Sequence, residues 1–180
     1  DAWVSKGHIL TNHLGKFEEA VRCHSGAIRI NPKNESAWLS KARIQLEKLD
    51  DADEAMATLD QFLESEGATA NGWVEKAEIL LSRLGEPDKA KEALDEALTM
   101  EEDNVRGRIL RARMLADIDN DVDGAIADLR TLSQDHPEES DAMLYRARLL
   151  AERKDEPDKA MELVEEILEY EEDNVGALVM

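Results

Sequence analysis

The sequence predicts an all-α fold, a right-handed superhelical solenoid of about five antiparallel helix pairs followed by the start of a sixth. The first observation is a column of residues spaced by 35, which includes all three tryptophans, Trp3, Trp38 and Trp73. The second is the return of the segment EPDKA, found at 86–90 and again at 156–160. Self-similarity at a fixed period is the signature of a repeat architecture.

The first half of each repeat is a predicted amphipathic helix that ends in a tight turn. In the first repeat Trp3, Gly7, Leu10 and Leu14 lie at i, i+4, i+7 and i+11, which places them on one face of a helix. A residue type that tolerates positive φ or caps a helix follows in every repeat. These turn residues are Gly15, Asp50, Gly85, Asn120 and Asp155.

A second helix completes each repeat. Pro87 and Pro157 come two residues after the turn, where the first helical position tolerates proline because its missing N–H would be unpaired anyway. Pro32 and Pro137 mark where second helices end. The predicted repeats span about 1–34, 35–69, 70–104, 105–139 and 140–174. Together they form one predicted solenoid domain of residues 1–180, in which 175–180 are the stub of the next helix.

These columns resemble the tetratricopeptide repeat (TPR) family, whose signature combines Trp, Leu-Gly, Tyr, Ala, Phe and Pro. The first repeat carries Trp3, Gly7, GKFEEA at 15–20 and Pro32, whereas Leu10 stands where Tyr is usual. The period of 35 residues is one residue longer than the commonest length of the family. The resemblance implies a protein-interaction scaffold that holds a peptide or partner helix in the concave groove of the solenoid.

The resemblance also implies which side chains line the groove, because the first helix of each repeat faces it. The candidates stand one, five and about nine positions after the tryptophan column, and they form an aliphatic track beside a charged one. They are Val4, His8, Asn12, Leu39, Arg43, Glu47, Val74, Glu78, Ile109, Arg113, Leu144 and Arg148.

The charge of the chain limits the classes of partner. It has 42 acidic and 22 basic residues, a net charge of −20. Nucleic-acid binding depends on neutralising phosphates with Lys and Arg, and anionic membranes attract the same cations. We therefore expect a protein or peptide partner and neither nucleic acid nor membrane, although pentatricopeptide RNA-binding arrays also repeat near 35 residues. An excess of acid favours solubility or a basic partner.

Arginine is concentrated in the fourth and fifth repeats. Six of the twelve arginines, at 106, 108, 111, 113, 146 and 148, fall on two first helices. Planar guanidinium groups bind carboxylates with two hydrogen bonds, which would suit an acidic peptide. The alternative is that these arginines pair with acidic residues on neighbouring helices, as surface charges commonly do. Both interpretations stay open.

The sequence offers little support for a metal, a cofactor or catalysis. Asp119, Asp121 and Asp123 imitate the start of a calcium loop, but Arg130 stands where the loop needs a bidentate glutamate. We interpret this segment as a turn, because Asp and Asn cap helices without a metal. No nucleophile–base pair or phosphate-binding loop is recognisable, so we predict no cofactor and no enzyme.

Several expectations concern the parent protein. Cys23 is the only cysteine, and no apolar run approaches 18 residues, so we expect a cytoplasmic location for this chain, which says little about the location of a longer parent protein. The repeat pattern runs on at the last residues, from which we infer an excerpt of a longer protein. The alternative function is structural, with exposed repeat ends joining copies into an oligomeric platform.

Overall fold

A computed structural model of the chain describes residues 2–170, and within that range it contains ten α-helices and no strand. Consecutive helices joined by short turns form five pairs, one in each predicted repeat, so the predicted all-α repeat solenoid is confirmed. The stub at 175–180 lies outside the described residues. The helices are α1 Ala2–Asn12, α2 Phe17–Ile30, α3 Glu35–Lys48, α4 Ala52–Leu63, α5 Ala70–Ile79, α6 Pro87–Met100, α7 Val105–Asp117, α8 Val122–Asp135, α9 Ser140–Arg153 and α10 Pro157–Tyr170.

The chain divides into two compact units, Asp1–Asn104 and Val105–Met180. The division falls at the predicted boundary between the third and fourth repeats. The first unit therefore holds three helix pairs and the second holds two. In both units the first helix of a pair packs against the second, and the second packs against the first helix of the next pair.

The turn inside each pair has the same backbone geometry in all five repeats. Its central residue is left-handed, with φ between 54° and 64°. The next residue donates its N–H to a carbonyl six residues earlier, at 2.8 to 3.0 Å, which is one residue farther back than the closing bond of a Schellman motif. The five left-handed residues are those predicted from the sequence, Gly15, Asp50, Gly85, Asn120 and Asp155.

In the third repeat the first helix, α5, ends in a turn that is wider than an α-helical turn. Residues Leu80–Leu84 form a π-helical turn directly after α5 and before Gly85. A π-turn accommodates one more residue than an α-turn does, because its hydrogen bond spans five residues. The same spacing recurs where Leu49 N–H bonds the Ile44 carbonyl, at 3.1 Å. The residue that lengthens the period is therefore accommodated at this turn.

We expect Gly85→Ala to lower the free energy of unfolding by about 1 kcal/mol, because an alanine Cβ disfavours left-handed backbone. Nothing lies within 4 Å of the Cβ position, so the cost is conformational and not steric. Gly85→Asn should cost less, as the turn of the fourth repeat has Asn120 there. Urea unfolding of both variants checks the order; an equal cost would contradict it.

Alanine columns form the inner seam of each helix pair. Ala20, Ala55, Ala90 and Ala125 are all fully buried, which lets the paired helices approach closely. The tryptophan column is less uniform along the chain. Trp38 is buried and donates its indole N–H to the Pro32 carbonyl at 2.8 Å, and its ring stacks on Phe62. Trp3 is 39% exposed.

The described helices are also too short or too polar to cross a lipid bilayer.

Candidate functional site

A cleft in the first compact unit brings together four of the predicted groove residues. His8 and Asn12 come from α1, and Arg43 and Glu47 come from α3. Each pair is spaced i, i+4, so its two side chains stand on one helix face, one turn apart. The cavity between them has a volume of about 260 Å³ and is also lined by Thr11, His24, Ser40, Ile44 and Lys48. We call it the α1–α3 cleft.

Arg43 is fixed within the α1–α3 cleft by a carboxylate from α5. Its Nε and Nη2 atoms donate to the two oxygens of Glu75 at 3.2 and 2.8 Å. The Glu75 side chain is 6% exposed and that of Arg43 is 48% exposed. The hydrogen bond to Glu75 raises the pKa of Arg43 above its usual value, against the opposing effect of burial. One edge of the guanidinium is thus occupied by Glu75, and Arg43 also lines the cleft.

His24 lies beneath the α1–α3 cleft, fully buried, in a column that holds leucine or valine in the other repeats. Burial lowers the pKa of His24 to about 4, and the charge of His8 contributes to the same shift. The two rings meet edge to face with their centroids 5.5 Å apart. Neither ring nitrogen of His24 has a hydrogen-bond partner among residues 2–170. At neutral pH His24 is therefore an uncharged, buried ring.

The predicted aliphatic track is only partly accessible. Val4, Leu39, Ile109 and Leu144 are all half-buried, and each offers some surface. Val74 is fully buried, so the prediction that it lines the groove is wrong for this residue. Glu78, on the same helix, is half-buried.

Two of the clustered arginines form ion pairs with neighbouring helices. The Arg111 guanidinium makes two hydrogen bonds to Asp128, at 2.8 and 2.9 Å. Arg108 is 8% exposed and lies 3.4 Å from an oxygen of Asp135. For these residues the structural interpretation is confirmed.

Arg113 and Arg148 are the exposed members of the six clustered arginines. Neither is in an ion pair with any residue that the structure describes. The Arg148 guanidinium lies over the ring of Tyr145, 4.9 Å from its centroid. Burial and then Asp117 raise the pKa of Tyr145, whereas Arg148 and Arg113 oppose that rise, so both cations are close to the phenol.

Tyr145 is a residue of this surface that the sequence analysis missed. It is 8% exposed, and its hydroxyl has no well-aligned hydrogen bond among the described residues. Its position three residues before Arg148 on a helix is the signal that could have found it, since side chains at i and i+3 are neighbours. We call Arg113, Tyr145 and Arg148 the α7–α9 arginine surface.

The segment that imitates a calcium loop serves the start of α8 instead. Asp121 caps the helix by accepting a hydrogen bond from the Gly124 N–H at 2.9 Å. Asp123 pairs with Lys154 at 2.7 Å. Between residues 2 and 170 no three His, Cys, Asp or Glu side chains are arranged to hold a metal ion.

Comparison with known proteins gives the same family for most of the chain. One family model described as tetratricopeptide repeat matches residues 79–127 and 119–175, and two further models of that description match 1–34 and 36–66. A comparison with curated protein sequences gave no match.

Solved structures with a similar fold are distant in sequence. TTC0263, a thermophilic TPR protein of Thermus thermophilus, is 18% identical with a TM-score of 0.76, over 99% of this chain and 94% of that one. PilW, a type IV pilus biogenesis factor, is 19% identical with a TM-score of 0.72, over 93% and 76%. YrrB, a TPR protein with an unusual peptide-binding site, is 18% identical with a TM-score of 0.60, over 98% and 88%.

Three observations agree on the family. They are the 35-residue columns, the five helix pairs with their shared turn geometry, and the match of one family model over more than half of the sequence. The chain belongs to the tetratricopeptide repeat family.

Proposed function

We propose that this chain is a protein-interaction scaffold that binds an acidic peptide or partner helix through the α7–α9 arginine surface. The observation that carries the proposal is the pair of exposed, ion-pair-free guanidinium groups of Arg113 and Arg148. Arg22 and Arg29 of α2 are exposed as well. The feature that sets Arg113 and Arg148 apart is that both stand beside the buried Tyr145. A free guanidinium can bind a partner's carboxylate with two parallel hydrogen bonds.

Tyr145 strengthens the case for a ligand at this surface. Its buried ring holds the Arg148 guanidinium at a fixed place, so less side-chain entropy is lost when a carboxylate binds. Its hydroxyl can donate a further hydrogen bond to an oxygen of the ligand. Ile109 and Leu144, half-buried on the same two helices, add apolar contact for the partner.

The α1–α3 cleft is a second proposed contact point, in the first compact unit. Its volume of about 260 Å³ accommodates a side chain and not a whole helix. Asn12, Ser40 and Glu47 supply hydrogen-bonding groups of both kinds, donors and acceptors. We propose that this cleft holds one polar side chain of an extended partner segment.

Fluorescence anisotropy with labelled peptides tests the arginine surface. The probe is a twelve-residue peptide of alternating Glu and Ser, compared with versions in which Gln or Lys replaces Glu. We expect the double variant Arg113→Glu with Arg148→Glu to weaken binding of the Glu/Ser probe at least about tenfold, as two charge-assisted contacts become repulsive. The Gln/Ser peptide should be insensitive to the variant.

The matched control replaces two exposed arginines of α2 in the same way, Arg22→Glu with Arg29→Glu. This control changes the net charge by the same amount and should leave the affinity for the Glu/Ser peptide almost unchanged. Equal weakening by the two double variants would show a general charge effect and overturn the proposal.

Light scattering of the unliganded chain tests the alternative function of self-assembly, and an oligo-uridine probe tests RNA binding. A stable oligomer or bound RNA at physiological salt would favour those functions instead.

A further inference from the structure

A furrow in the first compact unit contains none of the residues of the two proposed contact points. It runs between α4 and α6. Residues 73, 76, 80 and 84, from the first helix of the third repeat, lie along it. Its volume is about 820 Å³, roughly three times that of the α1–α3 cleft. We call it the α4–α6 furrow.

The α4–α6 furrow combines apolar surface with an acidic rim. Trp73 and Met56 are half-buried and Leu84 is 38% exposed, so all three present apolar atoms to the furrow. The rim carries five carboxylates against two lysines. These acidic residues are Asp53, Asp60, Glu86, Glu92 and Glu96.

Two of the five carboxylates are neutralised within the chain. Lys76 lies 2.7 Å from Asp60, and Lys89 lies 2.8 Å from Glu86. The other three acidic residues of the rim stand outside these pairs. The furrow therefore keeps a local negative charge beside exposed apolar atoms, which is the complement of a surface that is both basic and apolar.

Lys76 shows how the α4–α6 furrow binds a cation. Its ammonium group donates to Asp60 while it lies 5.2 Å from the centre of the Trp73 ring. A carboxylate and an aromatic face thus hold one positive charge together, and both contributions are individually favourable. A partner's lysine or arginine can pair in the same way with the carboxylates farther along the rim.

The second compact unit contains the counterpart of this furrow 70 residues later, between α8 and α10, with a volume of about 1030 Å³. We call it the α8–α10 furrow. Met143 takes the place of Trp73, and Arg130 takes the place of Asp60. Its three cations, Arg130, Arg146 and Lys159, balance its three acidic residues, Glu138, Glu162 and Glu166. The acidic rim and the tryptophan therefore belong to the first furrow and are not a general property of the repeat.

We propose that the α4–α6 furrow is a docking site for a basic amphipathic helix of a partner protein. The apolar face of that helix packs on Trp73, Met56 and Leu84, and its lysines or arginines face Asp53, Glu92 and Glu96. Laying an amphipathic helix into an apolar groove is a common mode of peptide recognition. The acidic rim selects a basic helix and repels an acidic one.

The test uses a fluorescein-labelled amphipathic helix of 18 residues made of Lys and Leu, measured by anisotropy at physiological salt. Neutralising the unpaired rim, in Asp53→Asn with Glu92→Gln and Glu96→Gln, should weaken binding about tenfold. The matched control neutralises the acidic residues of the other furrow, in Glu138→Gln with Glu162→Gln and Glu166→Gln. It removes the same charge and should change the affinity less than about twofold. Equal weakening by both triple variants would overturn the proposal.

The apolar contact of the α4–α6 furrow is tested separately with Trp73→Met, which introduces the residue found in the α8–α10 furrow. Circular dichroism checks that this variant keeps the native helix content. The variant should weaken the Lys/Leu helix and leave a Lys/Ser peptide of equal charge unaffected. If the Lys/Ser peptide binds the parent chain as tightly as the Lys/Leu helix, the furrow is not a helix-docking site. The variant Arg113→Glu with Arg148→Glu should bind the Lys/Leu helix normally, so this proposal and the one on acidic peptides fail independently.

Discussion

Acidification is expected to destabilise the chain through His24, by about 2 kcal/mol between pH 7.5 and pH 5 and by about 3 kcal/mol at lower pH. Burial lowers the pKa of His24 from 6.5 to about 4 in the folded chain. Between these values the unfolded chain binds a proton that the folded chain does not, so unfolding is favoured as the pH falls. The stability that depends on neutral His24 is therefore fully present above about pH 6.5 and is lost as the pH falls towards 4.

The control for this prediction is the double variant Gly7→Ala with His24→Leu, which installs the pair found in other repeats. In the second repeat Ala42 and Leu59 occupy these columns and are packed in one cluster. A Cβ at Gly7 would stand 2.5 Å from Nε2 of His24, so the two changes belong together. Urea unfolding at several pH values should show that the variant lacks the extra acid sensitivity of the parent. Identical pH profiles would contradict the role of His24.

Removal of Arg43 is expected to be the costliest single change at the α1–α3 cleft. Arg43→Ala takes a bidentate guanidinium from Glu75, whose side chain is 6% exposed. Breaking a buried ion pair from one side costs about 3–5 kcal/mol, and the partial exposure of Arg43 places the expected loss near 2–3 kcal/mol. Urea unfolding measures the loss at neutral pH.

The double variant Arg43→Met with Glu75→Met should recover most of this loss, because it leaves no charge in the buried position. Arg22→Ala, which removes an exposed arginine of α2, is the reference for a surface change. If Arg43→Ala costs no more than Arg22→Ala, the ion pair with Glu75 does not stabilise the first compact unit.

The sequence predicted most of the fold because its repeats constrain one another. One residue such as Asp50 says little about backbone geometry, but five turn residues spaced by 35 all favour a left-handed position. Pro87 and Pro157 placed the start of two second helices correctly, since proline at the first helical position loses no hydrogen bond. Helix existence therefore followed from local patterns seen several times.

The candidate site was harder to predict because it depends on contacts between helices. Residues 43 and 75 are 32 positions apart, and nothing in either local sequence signals their ion pair. Val74 occupies the same column as Leu39, yet packing in the third repeat buries it completely. Position within a repeat gives the direction of a side chain, whereas its exposure and its partners depend on the neighbouring helices.

The most direct test of the central claim is an NMR titration of the isotope-labelled chain with the Glu/Ser peptide. If the chain is a scaffold that binds acidic segments, the largest shifts should fall on Arg113, Tyr145 and Arg148 and on the methyl groups of Ile109 and Leu144. They should disappear in the variant Arg113→Glu with Arg148→Glu. Saturating shifts confined to other helices, or no shifts while the peptide is in large excess, would contradict the claim.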